Sequence, residues 1–374
     1  MSSAPLTIGF LRRGYSATGG VEAYLKGLAA GLRGKGHRVV LLGTAEWPVE
    51  EWPGGEILRC RGNSLAEYGA EVARWKREPD VSFDLTLSVE KVPGCDLYRT
   101  DEGLHQSWLR ERSRYIGCWA RVFQGINPKH REKLRLEKDL FTPDATRHVI
   151  SLSDKISREI RDLYGYPADR ITLIRNGVPS RARVTTEERM RARDELGISP
   201  AEKIALFVGT GWERKGLRFA IRAVESLNDP MLKLLVAGKG PEKQYASPFV
   251  RFLGPVSEMG RVYAASDIFL FPTIFDPFPL AALEALSAGL PVITSASNGV
   301  SEIMTLGVHG EVIAEPSDVM ALGSALSKWL EITGDPIRAD RVREDCSALA
   351  SEFTLERNLR ETWDVIQKLV IQRK

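Results

Sequence analysis

Short apolar runs of five or six residues recur along the chain, separated by stretches in which apolar positions return every three or four residues. "LTIGFL" predicts a strand, "GGVEAYLKGLAAGLRGKG" a helix closed by glycine, and "HRVVLLG" a second strand. "FDLTLS", "RHVISLS", the helix "DKISREIRDLYG" and "ITLIRNGV" continue the alternation. Apolar runs joined by helices predict a parallel sheet covered on both faces. From about Ser180 to Ser199 the chain is charged and poor in large apolar residues, which reads as a linker carrying a short helix. The alternation then resumes with strand "KIALFVGT", helix "GLRFAIRAVESL", "LKLLVAG", "VRFLGPV", a helix near "SEMGRVYAAS", and "IFLFPTI". Three helical stretches, from Asp318, Pro336 and Thr354, close the chain. At 374 residues, two domains are the default. The prediction is an α/β protein of two doubly wound domains, 1–180 and 181–353, with 354–374 as a closing helix. Such sheets bind ligands at their strand C-termini, here across a cleft, but the fold names no reaction.

Candidate chemistry is densest in "PTIFDPFPLAALEALSAGLPVI", from Pro272 to Ile293. It reads as a proline-broken loop, a short helix, a stop at Gly289 and a strand. A helix apolar on nearly all sides is normally buried, and a buried carboxylate needs a partner. Glu284 is the one charge in this helix, and Asp276 precedes it by eight residues. Asp276 has two readings, a helix N-cap with Pro277 at the first position or an acceptor for a sugar hydroxyl. Glu284 either pairs with an arginine or accepts hydrogen bonds from a ribose.

Earlier, "GTGWERKGL" places Arg214 and Lys215 between a strand and a helix opening near Gly216. Free N–H groups at a helix start, an arginine fork and a lysine point charge together suit a diphosphate. The loop is not a P-loop, because Leu217 stands where lysine is needed. Gly209-Thr-Gly211 lacks the third glycine of a dinucleotide fingerprint. Near the start, Gly19 and Gly20 open the first helix, as a plain turn or as an approach for a diphosphate or acceptor. In "YRTDEGLHQSW", Asp101, Glu102 and His105 follow an apolar stretch; Asp101 is a polar site residue or a helix cap.

"DPFPLAALEALSAGLPVITSASNGVSE" resembles the E-x7-E region of retaining glycosyltransferase family 4, with its small-x-Gly-x-Pro-Val turn. "GWERKG" is similar to that family's diphosphate pair, "LIRNGV" to its strand before the interdomain linker, and "TGGVEAYLKGLAAGLRGKGHRVVLL" to its glycine loop, first helix and second strand. The resemblance runs from residue 6 to about residue 315. It implies the two-Rossmann GT-B fold, with 354–374 returning to the first domain. It also implies metal-independent transfer from a nucleotide-activated sugar, so no cofactor. Arg214 and Lys215 would neutralise the departing diphosphate, the term expected to dominate catalysis. Glu284 would hold the ribose and Asp276 the donor sugar, with Gly19, Gly20, Gly209, Phe278, Pro279 and Leu280 against the nucleotide-sugar. Glu102 or His105 would face the sugar or the acceptor hydroxyl. Asp276 stands where the family usually has glutamate, and Pro279 where glycine is common, so the sugar subsite departs from the pattern.

Composition narrows the setting. The net charge of +3 gives no reason to expect nucleic acid. Four scattered cysteines predict free thiols in a reducing compartment, and five histidines without an HExxH pair argue against zinc. No apolar run spans a bilayer, and the N-terminus reads as a first strand rather than a leader, so a cytoplasmic protein is expected. Residues 108–140 hold nine Lys or Arg against four acids, a surplus of 9 − 4 = +5, with Trp108, Tyr115, Trp119 and Phe123 among them. This stretch is either a solvated helix pair packed on the first domain or a peripheral anchor for an anionic inner-membrane face. It resembles the corresponding part of enzymes that glycosylate lipopolysaccharide core or membrane glycolipids. The resulting expectation is a retaining hexosyltransferase, using UDP-glucose and a saccharide or glycolipid acceptor. The alternatives are an epimerase of the same fold and a non-catalytic sugar-nucleotide-binding protein at the membrane.

Overall fold

The computed structural model describes residues 5–16, 19–62, 64–180 and 183–372. It divides into two compact units, Met1–Arg175 with Arg357–Lys374, and Asn176–Glu356.

In the first unit the chain runs β1 (Thr7–Leu11), α1 (Gly20–Gly34), β2 (Arg38–Gly43), β3 (Glu56–Arg59), α2 (Leu65–Trp75), β4 (Leu85–Ser88), β5 (Leu97–Arg99) and α3 (His105–Ser113). Then come α4 (Cys118–Ile126), α5 (Pro128–Leu140), β6 (His148–Ser151), α6 (Asp154–Tyr164) and β7 (Ile171–Leu173). The seven strands form a parallel sheet in the order β3-β2-β1-β4-β5-β6-β7. Ile8, Phe10, Leu41, Leu85, Leu87 and Val149 are sealed in it, as a sheet covered on both faces requires. The strand order reverses between β1 and β4, so their C-terminal ends flank the switch point at which such sheets take ligands.

The second unit holds α7 (Thr186–Glu195), β8 (Lys203–Val208), α8 (Leu217–Leu227), β9 (Leu232–Ala237), β10 (Val250–Gly254), α9 (Met259–Ala265) and β11 (Ile268–Phe271). It continues through α10 (Leu280–Ser287), β12 (Val292–Ser295), β13 (Gly310–Ile313), α11 (Val319–Gly334) and α12 (Pro336–Ser351). Its six parallel strands run β10-β9-β8-β11-β12-β13, with the switch point between β8 and β11. The last helix, α13 (Leu355–Ile371), packs from residue 357 with the first unit. There Thr362 Oγ1 meets the Tyr24 hydroxyl at 3.1 Å and Trp363 lies 4.7 Å from the His37 ring.

Three readings meet the structure here. The charged stretch 180–199 carries a short helix, α7, as expected, and that helix is docked. Within it, Thr185 and Glu188 form a capping box for α7. Arg189 donates to the carbonyls of Ala264 and Ser266, and Arg193 to those of Ala265 and Ser199. Guanidinium bonds to a helix end replace the apolar face that hydropathy looks for. Second, Asp276 is not a cap: α10 starts at Leu280 and no side chain caps it. Third, Asp101 does not cap α3, which begins at His105; it is paired with the buried Arg99.

Candidate active site

The loops after β8 and β11, which flank the second unit's switch point, are tied together by backbone. Arg214 O accepts from Ile274 N at 2.8 Å and from Thr273 Oγ1 at 3.0 Å. Gly216, at φ +75°, lies so close to Pro272 O that a Cβ would stand 1.9 Å from it, so only glycine closes this junction. The approach brings three charged groups together. Lys215 Nζ lies 3.6 Å and Arg214 Nη2 3.8 Å from the same Asp276 oxygen. Lys215 Nζ also stands 4.9 Å from the centre of the Phe271 ring. Burial lowers the Lys215 pKa by more than the Asp276 carboxylate raises it, and Arg214 adds repulsion. Two cations around one carboxylate leave net positive charge in a place poorly reached by water.

Behind the cations, Trp212 is 2% exposed and donates from Nε1 to Gly209 O at 2.8 Å. It stacks on Phe252, with ring centres 5.4 Å apart. Gly209, at φ +140°, makes room for the Lys215 stem.

On the β11 side, Asp276 is 7% exposed and anchored by its backbone, donating to Ser297 O at 3.2 Å and accepting from Gly299 N at 3.0 Å. Phe278 is buried, and its carbonyl accepts from Asn176 Nδ2 at 2.6 Å. Pro279 is the N-cap of α10. With no capping side chain, the first N–H groups of α10, from Leu280 onward, are available to an anion. The helix is sealed except for one stripe, Leu280, Ala281, Glu284 and Ala288, spaced along one face. Glu284 stands on that stripe, half-buried rather than fully buried, and its Oε2 accepts from the Tyr263 hydroxyl at 2.8 Å. One partner is thus a tyrosine, which the sequence did not offer.

The first unit carries the other predicted residues, Gly19 and Gly20 after β1 at its switch point and Glu102 and His105 after β5, the strand beside β4. Gly19 is the N-cap of α1 and Gly20 its first residue. The space over Gly19 is taken by the Glu22 carboxylate, within 1.9 Å of where a Cβ would be. Glu22 is paired with Arg12 at 2.7 Å, and Arg12 reaches Glu90, just after β4, at 3.0 Å. A side chain at this position would push the Glu22 carboxylate away from its place beside Arg12. At the start of α3, Glu137 of α5 is fully buried and accepts from Gln106 N at 3.0 Å, from Tyr164 Oη at 2.6 Å and from His105 N. Lys91, itself buried, lies 3.6 Å from Glu137 and 3.9 Å from the exposed Glu102. His105 Nε2 meets His130 Nδ1 at 3.1 Å. Burial, followed by the cations Lys91 and Lys133, pushes the His105 pKa down to about 3. His105 is therefore a neutral imidazole at physiological pH.

The structure brings together Arg214, Lys215, Asp276 and the start of α10 in one unit, and Glu102, His105 and Lys91 in the other. Sequence reading missed Tyr263, Asn176, Glu137, Lys91 and the Arg12–Glu22–Glu90 network; their partners lie 10 to 102 positions away. No group of three or more His, Cys, Asp or Glu with metal-binding geometry occurs among the described residues.

Residues 202–331 match the glycosyl transferases group 1 family. With the two parallel sheets, this match defines a glycosyltransferase of the two-Rossmann GT-B class, similar to glycosyltransferase family 4. Among its relatives is an uncharacterized glycosyltransferase of Methanocaldococcus jannaschii, 25% identical over 83% of this chain and 86% of that protein. The lipopolysaccharide glucosyltransferase WaaG of Escherichia coli is 23% identical over 89% of this chain and 91% of its own. A crystal structure of WaaG superposes with a TM-score of 0.79 at 22% identity, covering 96% of this chain and 99% of that one. Anabaena HepE, solved in complex with UDP and glucose, gives 0.73 at 17% identity, covering 97% and 100%. At these identities the structural likeness speaks to fold alone.

Proposed function

We propose that this glycosyltransferase moves a hexose, glucose in the first instance, from a UDP-linked donor to a saccharide of lipopolysaccharide core, surface polysaccharide or glycolipid, with retention of anomeric configuration. The observation that carries the proposal is the convergence of Arg214, Lys215 and the uncapped start of α10 around Asp276. A diphosphate supplies the negative charge that this cluster lacks. UDP is favoured because HepE binds UDP and glucose in the same fold and WaaG is a glucosyltransferase.

In this reading the second unit holds the donor. Arg214 and Lys215 neutralise charge on the leaving diphosphate, so no metal is required. Asp276 accepts from a sugar hydroxyl, and Glu284, steadied by Tyr263, accepts from the ribose. The bond from the anomeric carbon to the phosphate oxygen breaks as the acceptor oxygen bonds to that carbon on the same face. The acceptor proton passes to the departing phosphate oxygen. Glu102 and neutral His105 offer polar groups to sugar or acceptor in the first unit.

In this reading the protein works in the cytoplasm, peripheral to an anionic membrane. Support comes from α4, where Trp119 is 80%, Phe123 66%, Val122 56% and Ile126 54% exposed on one helix face. They stand within a stretch carrying a surplus of cations, and no helix among the described residues is long and apolar enough to cross a membrane. Trp108 and Tyr115, by contrast, are half-buried. Incubation with radiolabelled UDP-glucose tests the reaction. Release of UDP with glucose passed to water or an added saccharide is the expected result. Conversion to another UDP-hexose would indicate an epimerase, and binding without turnover a silent module; either would overturn the proposal.

A further inference from the structure

A second cationic cavity lies in the second unit, at the opposite ends of the strands. Its volume is about 270 Å³, and it is lined by Arg183, Thr185, Thr186 and Arg189 around the start of α7 and by Asp340 and Arg343 of α12. Arg189 and Arg193 also meet Asp267, which leads into the N-terminal end of β11. The Asp276 loop leaves the C-terminal end of the same four-residue strand, about 13 Å away at ~3.3 Å per residue. The cavity is therefore separate from the Arg214–Lys215 cluster.

Charge there is out of balance. Among the described residues, three guanidinium groups line the cavity (Arg183, Arg189, Arg343) against two carboxylates, Asp340 in the lining and Asp267 paired with Arg189, an excess of 3 − 2 = +1. Arg183 is spent on Asp340, and Arg189 on Asp267 and the carbonyls at the end of α9. Arg343 is different. It is half-buried, yet among the described residues no acceptor lies within hydrogen-bond distance of its five donors. Burial, reinforced by the nearby Arg189 cation, lowers its pKa, although Asp267 and Asp340 pull the other way. The first N–H groups of α7 open on the same space, while Glu188 turns its carboxylate back onto Thr185 and does not line the cavity. A planar fork with unused donors, beside a helix start and the Thr186 hydroxyl, is matched by an oxyanion with three or four acceptor oxygens. The volume admits a phosphate carrying a small organic group.

We infer that the cavity between the start of α7 and α12 is a binding site for a phosphate oxyanion, free or as a small monoester, with Arg343 as its principal ligand. The site is independent of the donor reading given above. Isothermal titration of the full chain with inorganic phosphate, and separately with methyl phosphate, at constant ionic strength tests it. Wild type and Lys215→Ala should both bind saturably. Arg343→Gln and Arg183→Ser should weaken binding about tenfold or more, the size of losing one charged hydrogen bond. Arg183 is exposed, so its variant reports on the site even if the Arg343 change disturbs α12. Binding of methyl phosphate identifies a monoester site, and binding of inorganic phosphate alone a free-anion site. Absence of saturable binding by wild type, binding unchanged in both arginine variants, or binding lost only in Lys215→Ala would overturn the inference.

Discussion

Replacing Lys215 by methionine keeps a long unbranched side chain and removes its charge. At 3.6 Å from Asp276, the attraction is about 5 kcal/mol in a medium of effective dielectric 20. Burial already opposes this, as the lowered lysine pKa shows. Arg214 remains 3.8 Å from the same carboxylate, so Asp276 is not stranded. The gain and loss nearly cancel, and folding stability should change by no more than about 1 kcal/mol. Catalysis has no such compensation. A unit charge ~4 Å from a developing negative charge is worth about 4 kcal/mol at the same dielectric. With roughly two-thirds of that charge developed in the transition state, the loss is about 2.7 kcal/mol, a hundredfold in turnover. The assay is initial-rate UDP release from UDP-glucose, alongside a thermal melt. A melt near that of wild type with turnover down about a hundredfold is expected. Turnover within about threefold of wild type would refute the argument, because the cation would then do nothing for the leaving group.

Other outcomes follow from the same geometry. Glu284→Gln should weaken UDP binding about tenfold, read by titration, whereas Tyr263→Phe should cost less, since it leaves the carboxylate in place. Trp119→Ser with Phe123→Ser should lower binding to anionic vesicles by about tenfold or more without moving the melting temperature, because both side chains are exposed. His148 is 5% exposed, and burial, aided by Lys368, pushes its pKa down to about 4. The unfolded chain takes up this proton near pH 6.5 and the folded chain only near 4, so stability falls as pH drops through that window. The loss from pH 7 to 4 is on the order of 3 kcal/mol. His148→Gln should flatten that part of a denaturation–pH curve.

Much of the architecture was legible because it is written in hydrophobic periodicity. β1, α1, β2, β8 and β11 lie where apolar runs and glycine stops put them. The short elements β3, α2 and β5 passed unnoticed; Glu56–Arg59 is a strand of four residues, none of them buried. The short helix in Ser180–Ser199 was legible, but not what fastens it. It is held by arginines reaching backbone carbonyls, and such bonds leave no apolar pattern. In the candidate site, "GWERKG" announced a cationic loop after a strand, and Glu284 stood out as a charge in an apolar helix. That only one stripe of α10 is open, and that a tyrosine from α9 steadies the carboxylate, depends on how two helices pack. The proline spacing in "DPFP" delays α10 to Leu280 and releases Asp276 from the capping role that its sequence position offered.

The junction at Gly216 and Pro272 has a bearing on any attempt to change what this enzyme accepts. Because the segment bearing the cations is stitched to the segment bearing Asp276 through Arg214 O, Ile274 and Thr273, neither can be rebuilt alone. A redesign aimed at a different hexose that shifts residues 272–276 will drag the ammonium and guanidinium with it and forfeit rate along with selectivity. Diversity is better introduced at Leu280 and Ala281, whose side chains stand on the open stripe and outside that seam.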